Sequence, residues 1–221
     1  MLRQILRALS QQELVHVTSI VVDAGSPRMP FIKDKKPDVF LRYRDDGKYH
    51  RVRSFNDGVL LARSNYVILL DDDTIPLTTL WAATHVRRLN EEPRAFVRGL
   101  VHILTADANA TVTQGLLHQA GSVDWPHATL GWFSSTNLGF RRSTWDAVGG
   151  FDPAFDGNYG FEDLDLGRTV DAAGMPSLVL PTLSCALHSS VHYAQRTIPR
   201  PKDRSTNENV FLKKWGNGTA H

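Results

Sequence analysis

The segment Asn65-Tyr-Val-Ile-Leu-Leu-Asp-Asp-Asp-Thr-Ile-Pro76 joins a wholly apolar run directly to three carboxylates. An apolar run of this length beside a turn signal predicts a strand that is buried on both faces of an α/β sheet. Pro76 cannot continue such a strand inside a sheet. Because ligands of open α/β sheets bind at the carboxyl ends of the strands, the sequence predicts that this acidic triplet lies at a binding edge.

Three adjacent carboxylates repel one another unless a cation lies among them. Side chains alternate along an extended chain, so Asp71 and Asp73 are expected on one side and Asp72 on the other. An Asp-x-Asp pair suits a hard divalent cation, Mg²⁺ or Mn²⁺, which also holds substrate phosphates. The alternative is a solvated acidic turn that caps the helix predicted from Leu77 to Arg88.

A second group of acids opens the helix predicted over Phe161-Glu-Asp-Leu-Asp-Leu-Gly-Arg-Thr-Val170. Acidic side chains in a first helical turn interact favourably with the helix dipole, and this is the structural explanation for them.

Two further positions are candidate nucleotide contacts. Asp23 follows the apolar, β-branched run Val15 to Val22 and begins a turn, so its carboxylate could accept a hydrogen bond from a nucleobase or cap the turn. Arg53 precedes the helix predicted over Ser54 to Arg63, where exposed amides and a basic side chain favour phosphate. An ordinary exposed arginine is the alternative reading of Arg53.

The composition is that of one globular domain. The chain has 221 residues, 42% of them hydrophobic and 22% charged, and a net charge of +2 that gives no indication of nucleic-acid binding. The single cysteine, Cys185, excludes an intrachain disulfide and fits a reducing, cytoplasmic compartment. No apolar run has the length of a membrane span or the pattern of a signal peptide. The amphipathic start, with Leu2 and Ile5, predicts a helix that either packs on the sheet or lies on a membrane surface.

Four segments, in this order, give the chain a resemblance to nucleotide-sugar glycosyltransferases of the GT-A type, in the broad family 2. Ile20-Val-Val-Asp-Ala-Gly-Ser26 resembles the second strand and turn of that family, and Leu69-Leu-Asp-Asp-Asp-Thr-Ile-Pro76 resembles its Asp-x-Asp motif. Asn137-Leu-Gly-Phe-Arg-Arg142, continued by Val148-Gly-Gly-Phe-Asp152, is similar to the stretch before the catalytic helix. Tyr159-Gly-Phe-Glu-Asp163 is similar to its Trp-Gly-x-Glu-Asp motif, a Gly-x-Glu-Asp motif of the galactosyltransferase kind, with tyrosine replacing tryptophan.

The resemblance implies an α/β, Rossmann-like GT-A fold with a mostly parallel central sheet flanked by helices. It implies a single domain over residues 1–221, with a nucleotide-binding half at 1–90 and an acceptor-binding, catalytic half at 91–221. The usual first strand of the family has no counterpart ahead of the first predicted helix. A sheet neighbour left unpaired in this way would favour a homodimer.

The resemblance also implies residue roles. Asp163 would be the general base and Glu162 would orient the acceptor or the base. The remaining assignments are Asp23, Arg53, Asp71 and Asp72 on the nucleotide sugar; Asp71, Asp73 and His188 on the metal, with His192 as the alternative histidine; and Tyr159 and Asn137 on the acceptor.

The activity implied is transfer of a hexose from a UDP-sugar to a hydroxyl acceptor, with inversion and with Mn²⁺ or Mg²⁺, as in polysaccharide biosynthesis. A nucleotidyltransferase is a competing enzyme class, but the chain shows no glycine-rich, basic loop for a triphosphate. The non-enzymatic alternative is a pseudo-glycosyltransferase that binds a sugar or a protein partner.

Overall fold

The computed structural model describes residues 2–26, 36–104, 111–113, 133–188 and 205–216. Within these ranges the helices are α1 (Leu2–Ser10), α2 (Arg51–Leu61), α3 (Trp81–Glu91), α4 (Arg142–Val148), α5 (Glu162–Ala172) and α6 (Ser205–Trp215), with a short 3-10 helix at Pro153–Phe155. The strands are β1 (Ile20–Asp23), β2 (Val39–Arg42), β3 (Tyr66–Leu69), β4 (Thr74–Pro76), β5 (Phe96–Leu104), β6 (Thr111–Thr113), β7 (Leu138–Arg141) and β8 (Ser177–His188).

The strands form a six-stranded sheet and a separate pair. The large sheet has the order β3-β7-β5-β8-β4, with β6 also paired to β5, and β1 pairs in parallel with β2. The predicted α/β class is confirmed, but the sheet is mixed rather than mostly parallel. The reason is that β7 runs antiparallel to both β3 and β5, although β3, β5 and β8 share one direction. The missing first strand stays a prediction.

The apolar run before the acidic triplet is less buried than predicted. In β3 only Leu69 is buried, and Tyr66 to Ile68 are partly exposed. Among the strands that the structure describes, this one lies at the end of the large sheet and pairs only with β7. Residues Thr74 to Pro76 form the strand at the opposite edge, and Pro76 is accommodated there because an edge strand can lack one donor. The expectation of a central strand buried on both faces is therefore wrong.

That central place belongs to β5. Phe96 packs with Phe133 and Phe140 in a core cluster that also contains Leu166 of α5. Its neighbour Val97 belongs to a second cluster around α3. Successive residues of β5 thus enter opposite layers, which is the alternation expected of a strand covered on both sides.

Helix α1 packs against the rest of the protein through its apolar side chains. Ile5 and Leu6 are buried, and the helix packs near β4. Of its two predicted fates, packing against the sheet is therefore the one observed. None of the described helices combines the length and the apolarity needed to cross a bilayer.

His50 joins the segment before α2 to the loop before α5. Its Nδ1 lies 2.6 Å from Asp156 Oδ2 and its Nε2 lies 2.9 Å from Asp46 Oδ1, so a protonated ring donates to both carboxylates. The hydrogen bond to Asp156 raises the pKa of His50, burial opposes this effect, and Asp46 adds to it. Tyr49 forms a β-bridge with Gly157 beside this contact.

The raised pKa of His50 makes stability depend on pH. The stabilisation is fully present below pH 6.5, the ordinary pKa of histidine, and is lost as the pH rises through the higher folded-state pKa. We expect His50→Gln to lower the free energy of unfolding by roughly 1–2 kcal/mol in acid solution and by less in alkaline solution. Urea unfolding across this pH range measures the difference. A pH-independent effect of His50→Gln would contradict the assignment.

Candidate active site

Arg51, the first residue of α2, contacts both predicted acidic centres. Its guanidinium faces the Asp71 carboxylate with two nitrogens, Nη1 at 2.9 Å from Oδ1 and Nη2 at 3.3 Å from Oδ2. Its Nε lies 3.4 Å from Glu162 Oε1, and Nη2 also donates to Ser135 Oγ at 2.9 Å. One partly buried guanidinium therefore joins the end of β3 to the start of α5.

The acidic triplet has the alternation that the sequence predicted. Asp73 is 8% exposed and Asp71 is partly buried, whereas Asp72 is exposed. Thr136 Oγ1 donates to Asp71 Oδ2, and Thr74 Oγ1 lies 3.3 Å from Asp73 Oδ1. Two carboxylates of the triplet thus lie within the protein, and the middle one faces solvent.

The acids of α5 divide into two roles. Asp163 accepts a hydrogen bond from the Ser135 backbone N–H at 3.2 Å, and Glu162 is buried beside Arg51. Asp165 instead accepts from Trp215 Nε1 at 2.7 Å and pairs with Lys214 at 2.9 Å, which fastens α5 to α6. The helix follows Phe161, whose φ of 66° is unfavourable for a residue with a side chain. Strained backbone of this kind occurs often at functional sites.

Burial makes both site carboxyls of α5 better proton acceptors than ordinary acids. It raises the pKa of Asp163, against the opposing effects of Arg51 and of the Ser135 hydrogen bonds. It also raises the pKa of Glu162, with the neighbouring Asp163 adding to the rise and Arg51 opposing it. For Arg51, burial alone would lower the pKa, but the charges of Asp71, Asp163 and Glu162 raise it well above its usual range.

The sequence pattern pointed to Arg53 and gave no indication of Arg51. Arg53 has an exposed side chain that lies over the Tyr43 ring at 4.2 Å and at 3.7 Å from Asp57. The two arginines are separated by one residue in a helix, and nothing in the local sequence indicates which of them faces the acids. The phosphate contact of Arg53 stays a prediction.

Asp23 lies at the end of β1 as predicted. It is buried, its Oδ1 accepts from the Ser26 backbone N–H at 2.8 Å, and its Oδ2 lies 3.2 Å from Arg42 Nε. The turn-capping alternative therefore describes what its carboxylate does in this structure. The contact with a nucleobase stays a prediction.

The Asn137 side chain makes its contacts inside the protein, and its predicted contact with an acceptor stays a prediction. Its side chain is 0% exposed, and its Oδ1 accepts from Trp81 Nε1 at 2.9 Å and lies 3.2 Å from His85 Nε2. Its Nδ2 donates to the carbonyls of Leu183 and Leu100. Every polar atom of the amide is used inside the protein, which fixes β7 against α3, β5 and β8.

Tyr159 lies in the loop that leads into α5. The structure does not describe the side chains of the two predicted histidines, His188 and His192. The Tyr159 ring packs edge-on against Tyr49 with centroids 5.5 Å apart, and its stacking on a sugar stays a prediction. The backbone of His188 ends β8, but its side chain and the whole of His192 are outside the described part.

The predicted metal ligands have suitable chemistry. Among the described side chains, no group of three or more His, Cys, Asp and Glu residues could hold a metal ion. Asp71 and Asp73 nevertheless place two carboxylates in the short segment between β3 and β4, and oxygen donors of this kind suit Mg²⁺ and Mn²⁺. A cation held there would need further oxygen ligands, of the kind that a diphosphate supplies.

Removing the guanidinium of Arg51 should strongly destabilise the protein. We expect Arg51→Gln to lower the free energy of unfolding by roughly 3 kcal/mol, because it leaves buried carboxylates without their cation. The matched variant Arg53→Gln removes an exposed arginine of the same helix and should change stability by less than about 0.5 kcal/mol. Urea unfolding at neutral pH makes the comparison, and equal effects of the two variants would contradict the central place of Arg51.

Comparison with known proteins agrees with the geometry. The family model described as "Glycosyl transferase family 2" matches residues 1–149. The chain belongs to this family. A search of curated proteins gave no match.

Solved structures of glycosyltransferases share the GT-A fold of this family member. S. aureus TarS 1-349 in complex with UDP-GlcNAc has a TM-score of 0.65 at 13% identity, over 85% of this chain and 54% of that one. TarS 1-349 alone has a TM-score of 0.64 at 13% identity, over 87% of this chain and 58% of that one. GalNAc-T7 with UDP, GalNAc and Mn²⁺ has a TM-score of 0.51 at 12% identity, over 68% of this chain and 32% of that one. The chain thus spans between about a third and three fifths of the length of these proteins.

Proposed function

We propose that this chain is an inverting, metal-dependent glycosyltransferase that moves a hexose from a UDP-sugar to a hydroxyl acceptor. The observation that carries the proposal is the joint contact of Arg51 with Asp71 and Glu162. Sugar transfer needs one acidic centre for a metal and a diphosphate and another for a proton, and both must lie within reach of one sugar.

On the donor side, Asp71, Asp73 and His188 would hold Mn²⁺ or Mg²⁺. The cation supplies electrophilic stabilisation of the departing diphosphate. Asp23 would contact the nucleobase, and Arg53 and Asp72 would lie along the nucleotide sugar. The solved relatives support a UDP-linked donor, since one contains UDP-GlcNAc and another contains UDP and Mn²⁺.

On the acceptor side, Asp163 takes the proton of the acceptor hydroxyl as that oxygen forms its bond to the anomeric carbon. The bond from that carbon to the diphosphate breaks in the same step, and UDP leaves from the opposite face, which inverts the configuration. Glu162 orients the acceptor or Asp163, and Tyr159 stacks on a sugar ring. The raised pKa of Asp163 suits this role, because a more basic carboxylate is a better proton acceptor.

A donor screen tests the proposal. UDP release is measured from a panel of UDP-hexoses with Mn²⁺ and in a metal-free control, with mixed hydroxyl acceptors. Metal-dependent release from one donor is expected. Pyrophosphate release from a nucleoside triphosphate and a sugar phosphate would instead establish a nucleotidyltransferase, and absence of any heat on titrating UDP with Mn²⁺ would favour a binding module.

A further inference from the structure

Arg98 is a buried arginine that the proposed reaction leaves unused. It lies in β5 with a relative exposure of 2%, and it is among the largest fully buried side chains of the described residues. Neither Nη1 nor Nη2 has a hydrogen-bond partner in the described part of the chain. Within that part, no carboxylate lies at ion-pair distance from its guanidinium either.

Burial without hydrogen-bond partners costs free energy for a side chain that carries a positive charge. Burial lowers the pKa of Arg98 to about 10, with the charge of Asp163 opposing the fall, so the side chain remains protonated near neutrality. A buried charge without partners is among the most unfavourable features in a protein interior. Packing alone would be served better by an apolar side chain of the same length. A buried guanidinium here therefore points to a partner that the described residues do not supply.

The position of Arg98 indicates where that partner binds. Alternation along β5 puts Arg98 on the same sheet face as Phe96, which packs with Phe133 toward α5. Arg98 also pairs across the sheet with Leu138, the first residue of β7. The residues just before β7 are the ones that contact the acidic centres, since Ser135 donates to Asp163. Arg98 thus lies on the face of the sheet that α5 covers, the side on which the acceptor is expected.

We propose that Arg98 is the anion-binding residue of the acceptor subsite, and that the acceptor carries a phosphate or carboxylate group near the hydroxyl that receives the sugar. A guanidinium presents paired N–H groups that match either anion. The inference rests on the proposed function, because it takes Asp163 to mark the acceptor side.

Small anions can test this subsite after the nucleotide site has been filled. The intact chain is saturated with UDP and Mn²⁺, and Tm is then measured with added sulfate, with acetate, or with chloride at matched ionic strength. We expect sulfate or acetate to raise Tm by roughly 2–4 °C over chloride in the wild-type chain. A response to sulfate alone indicates a phosphate-bearing acceptor, and a response to acetate alone indicates a carboxylate.

Two variants decide whether Arg98 is responsible. Arg98→Met should abolish the anion response and, without anions, should be at least as stable as the wild type, because it removes an unpartnered buried charge. Arg98→Lys keeps the charge without the planar fork and should retain a smaller response. If wild type shows no response, or if Arg98→Met responds equally, the proposal is overturned. A less stable Arg98→Met together with an unchanged response in Arg98→Lys would also overturn it. Failure of UDP and Mn²⁺ themselves to raise Tm would instead count against the proposed function.

Discussion

Replacing Asp163 by asparagine is expected to lower kcat for sugar transfer by roughly 10²–10⁴-fold while Mn²⁺-dependent binding of UDP stays unchanged. The amide has nearly the shape of the carboxylate and can still accept a hydrogen bond from the Ser135 backbone N–H. It cannot take a proton from the acceptor hydroxyl. The variant therefore separates chemistry from donor binding.

The measurement pairs a transfer assay, using the donor found in the screen, with calorimetry of UDP in the presence of Mn²⁺. Asp171→Asn is the matched control, because Asp171 is exposed near the end of the same helix and should affect neither quantity. Transfer at the wild-type rate in Asp163→Asn would remove the proposed base. A loss of UDP affinity as large as the loss of transfer would show instead that Asp163 belongs to the donor site.

Replacing Asp73 by asparagine should weaken Mn²⁺-dependent UDP binding by roughly 100-fold or more. Asp73 is the most buried acid of the triplet, and the loss of an anionic oxygen ligand there removes both a bond and a charge from the proposed metal site. Transfer should fall with the binding. UDP affinity without metal should change little, because the variant acts on the cation.

Asp72→Asn is the comparison within the same triplet, and its effect on UDP affinity should be smaller and the same with and without Mn²⁺, because Asp72 is proposed to lie along the nucleotide sugar and not on the metal. It makes the same change of charge one residue away, at a carboxylate that faces solvent. Calorimetry of UDP with and without Mn²⁺ compares the two variants, and thermal unfolding verifies that both are folded. Equal losses in the two variants would mean that the summed charge of the loop, and no particular ligand, controls metal binding.

Several features could be read from local sequence because they depend on neighbouring residues. The strand that ends at Asp23, the strand β5, and the helix stopped by Gly149 in its left-handed conformation follow from β-branched runs, apolar runs and a glycine terminator. The acidic triplet and the pair Glu162-Asp163 were likewise recognisable as two chemical centres. The resemblance in the order of these segments identified the family that the comparison then confirmed.

Other features depend on contacts between distant segments, and local patterns do not encode them. The direction and place of β7 made the sheet mixed and left β3 at an edge, although its apolar run is typical of a central strand. The close approach at Gly99, where an added Cβ would lie 1.8 Å from the Leu183 carbonyl oxygen, accompanies a shift in the pairing of β5 with β8. That irregularity has no signal beyond a single glycine.

The amino-acid sequence alone determined the family, the α/β class and the two acidic centres, because carboxylates at strand and helix ends keep their chemistry wherever the chain folds. Only the tertiary structure decided which basic and amide side chains lie beside these acidic centres. Arg51, and not Arg53, contacts the acids, Asn137 lies in the interior, and Arg98 is buried with no hydrogen-bond partner for Nη1 or Nη2 among the described residues. Partner choice is a property of packing: residues far apart in the chain meet only when the strands and helices that carry them are stacked.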